Sequence, residues 1–324
     1  MAWNRSVQYR KSGVSEITWN LTLHKITTLA ISSMGTIINL VAIFVIVKGG
    51  LHRQRAFTFV LNLFIGNLLM CSVAFPLYST PAFSPVPQDD INCPFSGYIL
   101  FTLTGSTLLN LVLIAINRYV LIVRFTYYET IYRTRNTRII LAVAWLFYPI
   151  IYSLPLSELW GKFQFDQRRL FCSPLKTDDG FPYFVLIVSS ITAFPSLTFC
   201  YIEIVRKIRS SNIRVNDTQS ENTQRQKNER QLRRSVLVTI SIFCGLNIPV
   251  IVVSIVDPKV EKLDPQFHFF FIYVGMLDYI VNTLIYSFLN QQIKSSFLNT
   301  FRWILKTNRT EPSRIRHAEI QEIS

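Results

Sequence analysis

Arg118 is a single basic residue near one end of an otherwise uncharged apolar run. The run extends from Thr107 to Val123 and reads TLLNLVLIAINRYVLIV. A guanidinium at membrane depth is costly unless it faces protein, water or a partner. Arg118 is therefore predicted to be a functional group at the mouth of a membrane helix. The alternative is an interfacial arginine that extends its charge into the headgroup region.

Asp278 is a second ionisable residue within an apolar run. The run extends from Phe267 to Leu289 and also contains Asn282 and Tyr286. The three polar residues recur every four positions, so a helix would place them on one face.

The remaining residues do not indicate an enzyme or a transporter. An intramembrane enzyme would need a nucleophile with a base or a metal cluster. The chain's four histidines all lie away from the middle of an apolar run: His24, His52, His268 and His317. A transporter or channel would need inverted repeats or a line of polar residues through the core, and neither is found. We therefore predict no enzymatic activity and no cofactor.

The composition predicts a helical membrane protein. Half of the 324 residues are hydrophobic and 16% are charged, which is typical of a polytopic chain. Seven apolar stretches carry at most one charge each, and each is near or above the ~20 residues needed to cross a bilayer. In chain order, spans 1 to 7 are Ile26–Val47, Ala56–Phe83, Cys93–Val123, Ile139–Ser157, Phe181–Ile202, Ser235–Val256 and Phe267–Leu289. The predicted fold is an all-α membrane protein, a seven-transmembrane helix bundle.

The ends of the chain are predicted to be separate segments. Residues 1–25 form a polar extracellular tail, residues 26–289 the membrane domain and residues 307–324 a cytoplasmic tail. Residues 290–306 alternate apolar and basic positions at helical spacing. They are predicted to be an amphipathic eighth helix on the membrane surface.

The distribution of basic residues predicts the orientation. Seven spans place the two termini on opposite sides, and the N-terminal side carries ten of the 33 Lys and Arg residues. The N-terminus is therefore predicted outside and the C-terminus in the cytoplasm. The net charge of +14 is expected to meet anionic lipids of the inner leaflet and a cytosolic partner, rather than nucleic acid.

Two features of the outer side follow from this orientation. Cys93 and Cys172 lie there, whereas the other three cysteines lie within spans. Because the outside is oxidising, these two can form an extracellular disulfide; the alternative is two unpaired buried thiols. A bridge would tether the loop before span 5 over span 3 as a lid. Asn4 and Asn20 begin Asn-x-Ser/Thr triplets, which predicts glycosylation at both.

Polar motifs recur in a fixed order along the spans. They are Asn39 in span 1, Asn67 in span 2, Asn117-Arg118-Tyr119 in span 3, Trp145 in span 4, Phe243 and Pro249 in span 6, and Asn282-Thr-Leu-Ile-Tyr286 in span 7. In this order the chain resembles the rhodopsin-like (class A) G-protein-coupled receptors. It looks most similar to the melatonin receptor, Moody and trapped-in-endoderm group, through INRYVLIV in span 3 and WGKFQFD in the outer loop.

The resemblance implies a plasma-membrane receptor that binds an extracellular ligand and activates a heterotrimeric G protein. It implies that Arg118 is a two-state switch, which in the active state contacts the G protein and neighbouring tyrosines. The implied switch residues are Asn117, Arg118, Tyr119, Tyr201, Phe243, Asn282 and Tyr286.

Three residues depart from the family pattern. Asn117 replaces the carboxylate that would pair with Arg118, which should bias Arg118 toward the active arrangement. Asn247 stands where a toggle tryptophan is expected, and Thr283 replaces the proline of span 7. A decoy receptor that binds ligand without signalling is therefore kept as an alternative.

The resemblance also implies a central polar cluster that consists of Asn39, Asn67, Thr107 and Asp278. Asn67 occupies the position where the family keeps a sodium-binding carboxylate. We hypothesise that Asp278, with Asn282, keeps that negative charge in the cluster and holds a sodium ion. The alternative is a protonated Asp278 that is only hydrogen-bonded.

The ligand pocket is predicted between the outer halves of spans 3, 5, 6 and 7. Leu100 stands where amine receptors carry an aspartate, so a monoamine ligand is not expected. The predicted lining is mostly apolar: Leu100, Phe101, Thr104, Val250, Ile251, Ile272 and Met276. Such a lining suits a small apolar molecule or a lipid; a short peptide that meets the charged outer loop is the alternative.

Overall fold

The structure is a computed structural model. It describes residues 2–79, 92–166, 171–174, 180–214, 238, 241–242, 245–253, 256–257 and 262–303, without the side chains of 2–21, 208, 211–214 and 265. Phe243, Cys244 and the tail 307–324 lie outside the described residues, as do the side chains of Asn4 and Asn20.

Six helices in the described part of the chain are long and apolar enough to cross a membrane. They are Thr22–Lys48, Arg55–Ser79, Asn92–Val123, Thr134–Leu156, Phe181–Lys207 and Gln266–Leu289, and they correspond to spans 1, 2, 3, 4, 5 and 7. Span 6 is described only in part, and its residues 245–253 are helical. The predicted all-α membrane fold is confirmed.

Several helices extend past the predicted spans. The helices and turns are Ala2–Lys48, a 3-10 turn Leu51–Arg53, Arg55–Leu69, a π-helical turn Met70–Ala74, Phe75–Ser79, Asn92–Val123, Phe125–Ile131, Thr134–Leu156, Phe181–Arg214, Pro265–Leu289 and, as far as the described residues extend, 291–303. The first helix begins within the predicted tail, and the helix of span 5 continues beyond Ile202 to Arg214. A helix of polar residues can continue beyond the bilayer, because water can form hydrogen bonds with polar side chains there.

The helix of span 2 contains a π-helical turn just before Pro76. The π-helical turn Met70–Ala74 immediately precedes the segment that contains Pro76. Proline has no N–H, and its ring clashes with the carbonyl four residues earlier, so it removes one helical hydrogen bond and distorts the helix around it. A single π turn is one way in which a helix accommodates such a break.

A short hairpin, the outer hairpin, covers the N-terminal end of span 3, which is predicted to face outside. Strand β1 (Gln164–Asp166) pairs antiparallel with β2 (Phe171–Ser173), and Phe165 lies opposite Cys172. Cys172 is disulfide-bonded to Cys93, with 5.4 Å between the two Cα atoms. Gly97 permits this close approach, because a Cβ there would lie 2.7 Å from the carbonyl oxygen of Cys172. The predicted disulfide and the tether of the loop over span 3 are therefore formed.

Span 3 lies at the centre of the bundle and contacts spans 2, 4 and 5. A buried polar link supports this packing: Trp145 Nε1 donates to Asn62 Oδ1 at 2.9 Å, and Asn62 in turn hydrogen-bonds Asn110. Large apolar side chains such as Ile150 and Ile191, each 65% exposed, face outward. Exposure of this extent suits contact with lipid chains and would be unfavourable in water.

The helix 291–303 follows span 7 directly. Asn290 caps it, because its Oδ1 accepts from the backbone N–H groups of Gln292 (3.0 Å) and Ile293 (3.3 Å). Ser296 Oγ donates to the carbonyl oxygen of Val45 at 3.1 Å, which attaches the helix to the inner end of span 1.

Candidate functional site

Arg118 lies half-buried near the inner end of span 3, among tyrosines from three other elements. It interacts electrostatically with Tyr286 of span 7, Tyr201 of span 5 and Tyr128 of the short helix Phe125–Ile131. None of the ion pairs among the described residues involves Arg118. Tyr201 and Tyr286 were expected from the sequence; Tyr128 was not, because the sequence predicts a loop after span 3, and a loop has no helical period that would orient its side chains.

Asn117 points toward the loop that follows span 3. It is 1% exposed, and its Nδ2 donates a long hydrogen bond of 3.5 Å to the Tyr128 hydroxyl. Tyr132 also lies within hydrogen-bonding reach of Asn117, and burial raises the pKa of Tyr132 to about 12. The Tyr132 hydroxyl therefore stays protonated at physiological pH. The amide that replaces the family's carboxylate is thus held by two loop tyrosines.

The other residues predicted for the switch lie in two separate places. Tyr119 turns away from Arg118: its ring lies 5.4 Å from that of Phe199, and its hydroxyl accepts from Arg124 Nε at 3.4 Å. Asn282 is buried one turn outward of Tyr286 and belongs to the centre of the bundle. The described structure therefore brings only Tyr201 and Tyr286 of the predicted set to Arg118.

Thr283 joins three spans at the centre of the bundle. Its hydroxyl donates to Asn39 Oδ1 at 2.6 Å and accepts from Asn67 Nδ2 at 3.2 Å. Asn39 Nδ2 donates to the backbone oxygens of Gly35 (2.8 Å) and Tyr279 (3.3 Å). All three side chains are essentially buried. The sequence marked Thr283 only as a departure from proline, and its bridging role depends on helix packing.

Asp278 lies deep in the bundle, 7% exposed. Asn247 and Asn282 approach its carboxyl group closely enough to hydrogen-bond with it. Asp278 Oδ1 and Asn282 Oδ1 are nevertheless buried without a hydrogen-bond partner among the described residues. Thr107 donates to backbone oxygens of its own helix, Leu103 and Thr104, both at 2.9 Å. Buried oxygens of this kind are stabilised by a donor or a cation.

These polar groups open onto a cavity of about 240 Å³. Six spans contribute to its lining, which is mainly apolar. The lining residues are Leu63, Asn67, Thr104, Gly105, Thr107, Leu108, Leu111, Tyr148, Tyr152, Leu186, Ser189, Ser190, Ala193, Phe194, Asn247, Val250, Ile251, Asp278, Tyr279 and Asn282.

Three of the seven predicted ligand residues line this cavity: Thr104, Val250 and Ile251. The other four lie nearer the outer hairpin or in the helix core. Leu100 packs beneath Phe171 and Cys172, and the ring of Phe101 lies 6.1 Å from that of Phe171. Met276 is 5% exposed within an apolar cluster, against which Ile272 packs.

Spans 4 and 5 supply a polar wall that the sequence did not predict. Tyr148 and Tyr152 of span 4 line the cavity, and the Tyr148 hydroxyl lies 2.9 Å from Ser189 Oγ. Gly105 of span 3 leaves space for the ring of Tyr148, because any Cβ there would overlap that ring. Two tyrosines four residues apart were a usable signal, since helical spacing places them on one face.

No group of three or more His, Cys, Asp or Glu side chains that could hold a metal ion occurs in the described part of the chain.

Comparisons with known proteins agree with this arrangement. Residues 38–286 match the family described as 7 transmembrane receptor (rhodopsin family). The chain is 27% identical over 201 residues to the G-protein coupled receptor moody of Drosophila pseudoobscura pseudoobscura, covering 60% of this chain and 29% of that relative.

Two further relatives are covered over most of their length. Melatonin receptor type 1C of Gallus gallus is 23% identical over 277 residues, which is 84% of this chain and 79% of the relative. Protein trapped in endoderm-1 of Drosophila melanogaster is 23% identical over 296 residues, 83% of this chain and 74% of the relative. Because the family match covers well over half of the chain, this chain belongs to the rhodopsin family of seven-transmembrane receptors and is a multi-pass membrane protein.

Proposed function

We propose that this chain is a plasma-membrane receptor that binds an extracellular ligand and activates a heterotrimeric G protein through Arg118. Its N-terminus lies outside and its C-terminus in the cytoplasm, in keeping with the excess of Lys and Arg on the inner side. The family membership supports the general activity, receptor signalling through G proteins. The assignment of Arg118 and of the ligand cavity is specific to this chain.

The observation that carries the proposal is the environment of Arg118. The arginine lies among Tyr128, Tyr201 and Tyr286 and has no carboxylate partner among the described residues. Tyrosine hydroxyls can exchange their hydrogen bonds more easily than a buried ion pair can be broken. No ion pair in the described part of the chain therefore holds Arg118 in a resting arrangement. Its proximity to Tyr201 and Tyr286 is what the active arrangement was expected to show, so the resting state is weakly held.

The ligand is proposed to bind in the cavity of about 240 Å³ below the outer hairpin. Its volume is slightly below the ~300–1,000 Å³ of many ligand sites, which favours a small molecule over a peptide. Apolar side chains such as Leu108 and Phe194 line much of it. A small, mainly apolar molecule or a single lipid group fits this lining.

A sodium ion is proposed to bind at Asp278. Its Oδ1 and that of Asn282 are buried oxygens without a partner among the described residues, and hard cations bind oxygen ligands of this type. The residues present therefore fit the ion. When bound, it would neutralise the buried carboxylate, while Asn247 and Asn282 orient that group.

The test is G-protein activation without added ligand, measured in cells that express the wild type or Arg118→Ala at matched surface density. We expect basal activity in the wild type and its loss in Arg118→Ala. The matched control is Arg138→Ala, because Arg138 is an exposed arginine at the start of the span 4 helix and has no part in the proposed switch.

Equal basal activity in the wild type and Arg118→Ala would contradict the assigned role of Arg118. No basal activity in the wild type, with every G-protein class tested, would contradict a weakly held resting state. That second result would favour the decoy receptor. In that case we expect coupling to appear when a carboxylate is restored at Asn117 or a tryptophan at Asn247.

A further inference from the structure

The ligand cavity extends from the outer half of the bundle toward its centre. Along span 3 its lining runs from Thr104 to Leu111, which corresponds to about 10 Å along the helix axis at 1.5 Å per residue. On span 6 it reaches Val250 and Ile251, and on span 7 it reaches Asn282. The space below the outer hairpin is therefore continuous with the central polar cluster.

Asn247 lies at the junction of the two regions. It belongs to the lining and also approaches the carboxyl group of Asp278. An asparagine side chain is short, so it leaves open the space between Thr104 and Asp278. A large aromatic side chain at this position would fill that space and would divide the cavity in two.

The inner end of this cavity carries one carboxyl group, that of Asp278. Among the lining residues, all of which belong to the described part of the chain, Asp278 alone has an ionisable acidic or basic group other than a tyrosine hydroxyl. Its Oδ1 has no hydrogen-bond partner there, and neither has the Oδ1 of Asn282. A carboxylate in an apolar surrounding attracts a cation more strongly than it would in water.

We propose that Asn247 merges the ligand pocket with the polar cluster, and that the ligand is a small, mainly apolar molecule whose positively charged nitrogen binds Asp278. This inference rests on the proposed function, because it names the ligand class of the same cavity. Leu100 leaves the outer part of the pocket without an acid, and Asp278 supplies one at the floor. Sodium and the ligand then compete for one carboxylate.

The test uses two reporter cysteines on one helix, Thr104→Cys at the outer end of the cavity and Leu111→Cys at the inner end. Each is placed in a background in which Cys71, Cys200 and Cys244 are replaced by alanine. Cells that display the receptor are treated from outside with a trimethylammonium-ethyl methanethiosulfonate, a small permanently charged cation. The rate of thiol modification is measured on the surface-labelled protein.

We expect both reporters to react when residue 247 is asparagine. In Asn247→Trp, reaction at Leu111→Cys should be lost, whereas Thr104→Cys should still react. The continued reaction at Thr104→Cys shows that the variant is folded and displayed; if Asn247→Trp does not reach the surface, Asn247→Phe replaces it.

The charge of the floor is tested with a second reagent, the anionic sulfonato-ethyl methanethiosulfonate. At Leu111→Cys the cationic reagent should react about tenfold faster than the anionic one, after correction for their intrinsic rates. Asp278→Asn should abolish this preference. The matched control is Asn282→Asp, which places a carboxylate one turn away and should retain a preference for the cation.

Either of two results would overturn the proposal. If Leu111→Cys resists both reagents while Thr104→Cys reacts, the two regions are separate. If the ratio of the two rates is the same in Asp278→Asn as in the wild type, Asp278 does not attract a cation. Neither measurement depends on G-protein coupling, so a failure here is distinguishable from a failure of the proposed signalling function.

Discussion

The hydroxyl of Thr283 donates to Oδ1 of Asn39 at 2.6 Å, and so links span 7 to span 1 across 244 residues of sequence. The same oxygen accepts from Asn67 Nδ2 at 3.2 Å. One side chain therefore holds three helices together. A proline at this position, as in the family pattern, would supply neither the donor nor the acceptor.

Replacing Thr283 by valine should destabilise the receptor. Valine has the same shape but removes the hydroxyl, which leaves buried polar groups of Asn39 and Asn67 without that partner. The expected loss is about 1–3 kcal/mol of unfolding free energy, measured as a lower thermal unfolding midpoint of the purified protein. Thr283→Ser keeps the hydroxyl and serves as the control; equal midpoints for the valine and serine variants would contradict the bridge.

Asn117→Asp should lower basal G-protein activation. The substitution introduces a carboxylate beside Arg118 and offers it the ion pair that the described structure lacks. An added interaction of about 1 kcal/mol would reduce the active fraction roughly fivefold. Asn136→Asp is the matched control, because it introduces the same charge at an exposed position at the start of the span 4 helix. Unchanged basal activity in Asn117→Asp would count against a resting state that is weak because Arg118 lacks an ion pair.

Breaking the bridge between Cys93 and Cys172 should destabilise the outer end of span 3. Removal of a native disulfide typically costs about 2–5 kcal/mol, which should lower both the surface density and the thermal midpoint of Cys93→Ser. The double variant with Cys172→Ser should lose no more than the single one, because one bond is lost in both. Additive losses would mean that each cysteine acts through separate contacts.

Sodium should stabilise the receptor through Asp278. A bound ligand raises the unfolding free energy by mass action, so the thermal midpoint should be about 2–4 °C higher in sodium chloride than in potassium chloride of equal concentration. The difference should vanish in Asp278→Asn. A difference of the same size in that variant would leave Asp278 as a hydrogen-bonded, protonated acid.

Asp257 should hold the loop between spans 6 and 7. Its Oδ2 accepts from the backbone N–H groups of Lys262 (3.1 Å) and Leu263 (2.9 Å) and lies 3.0 Å from His268 Nε2. Asp257→Ala should cost about 1–3 kcal/mol and speed amide hydrogen exchange at both loop residues.

Asp264→Asn is the control for that measurement. Asp264 caps the helix of span 7 through a hydrogen bond from the backbone N–H of Gln266 at 2.8 Å, and asparagine caps a helix about as well as aspartate. If exchange at Lys262 and Leu263 rose equally in both variants, the loop would not depend on Asp257.

Much of the architecture was determined by the sequence itself. Apolar runs of about 20 residues predict helical spans without reference to packing, because a helix of that length crosses the bilayer and hydrogen-bonds its backbone groups within itself. The pair Cys93 and Cys172 followed from sidedness, and the disulfide is present. The proximity of Tyr201 and Tyr286 to Arg118 followed from motif order, and the described structure contains it.

What the tertiary structure decided concerns residues on different helices. A helical period shows which residues share a face, but it does not give the rotation and depth of one helix against another. Packing therefore determined that Thr283 meets Asn39, that Tyr148 meets Ser189, and that Asn247 and Asp278 line the same cavity. Whether a small side chain borders a cavity depends on which side chains of the other helices lie beside it.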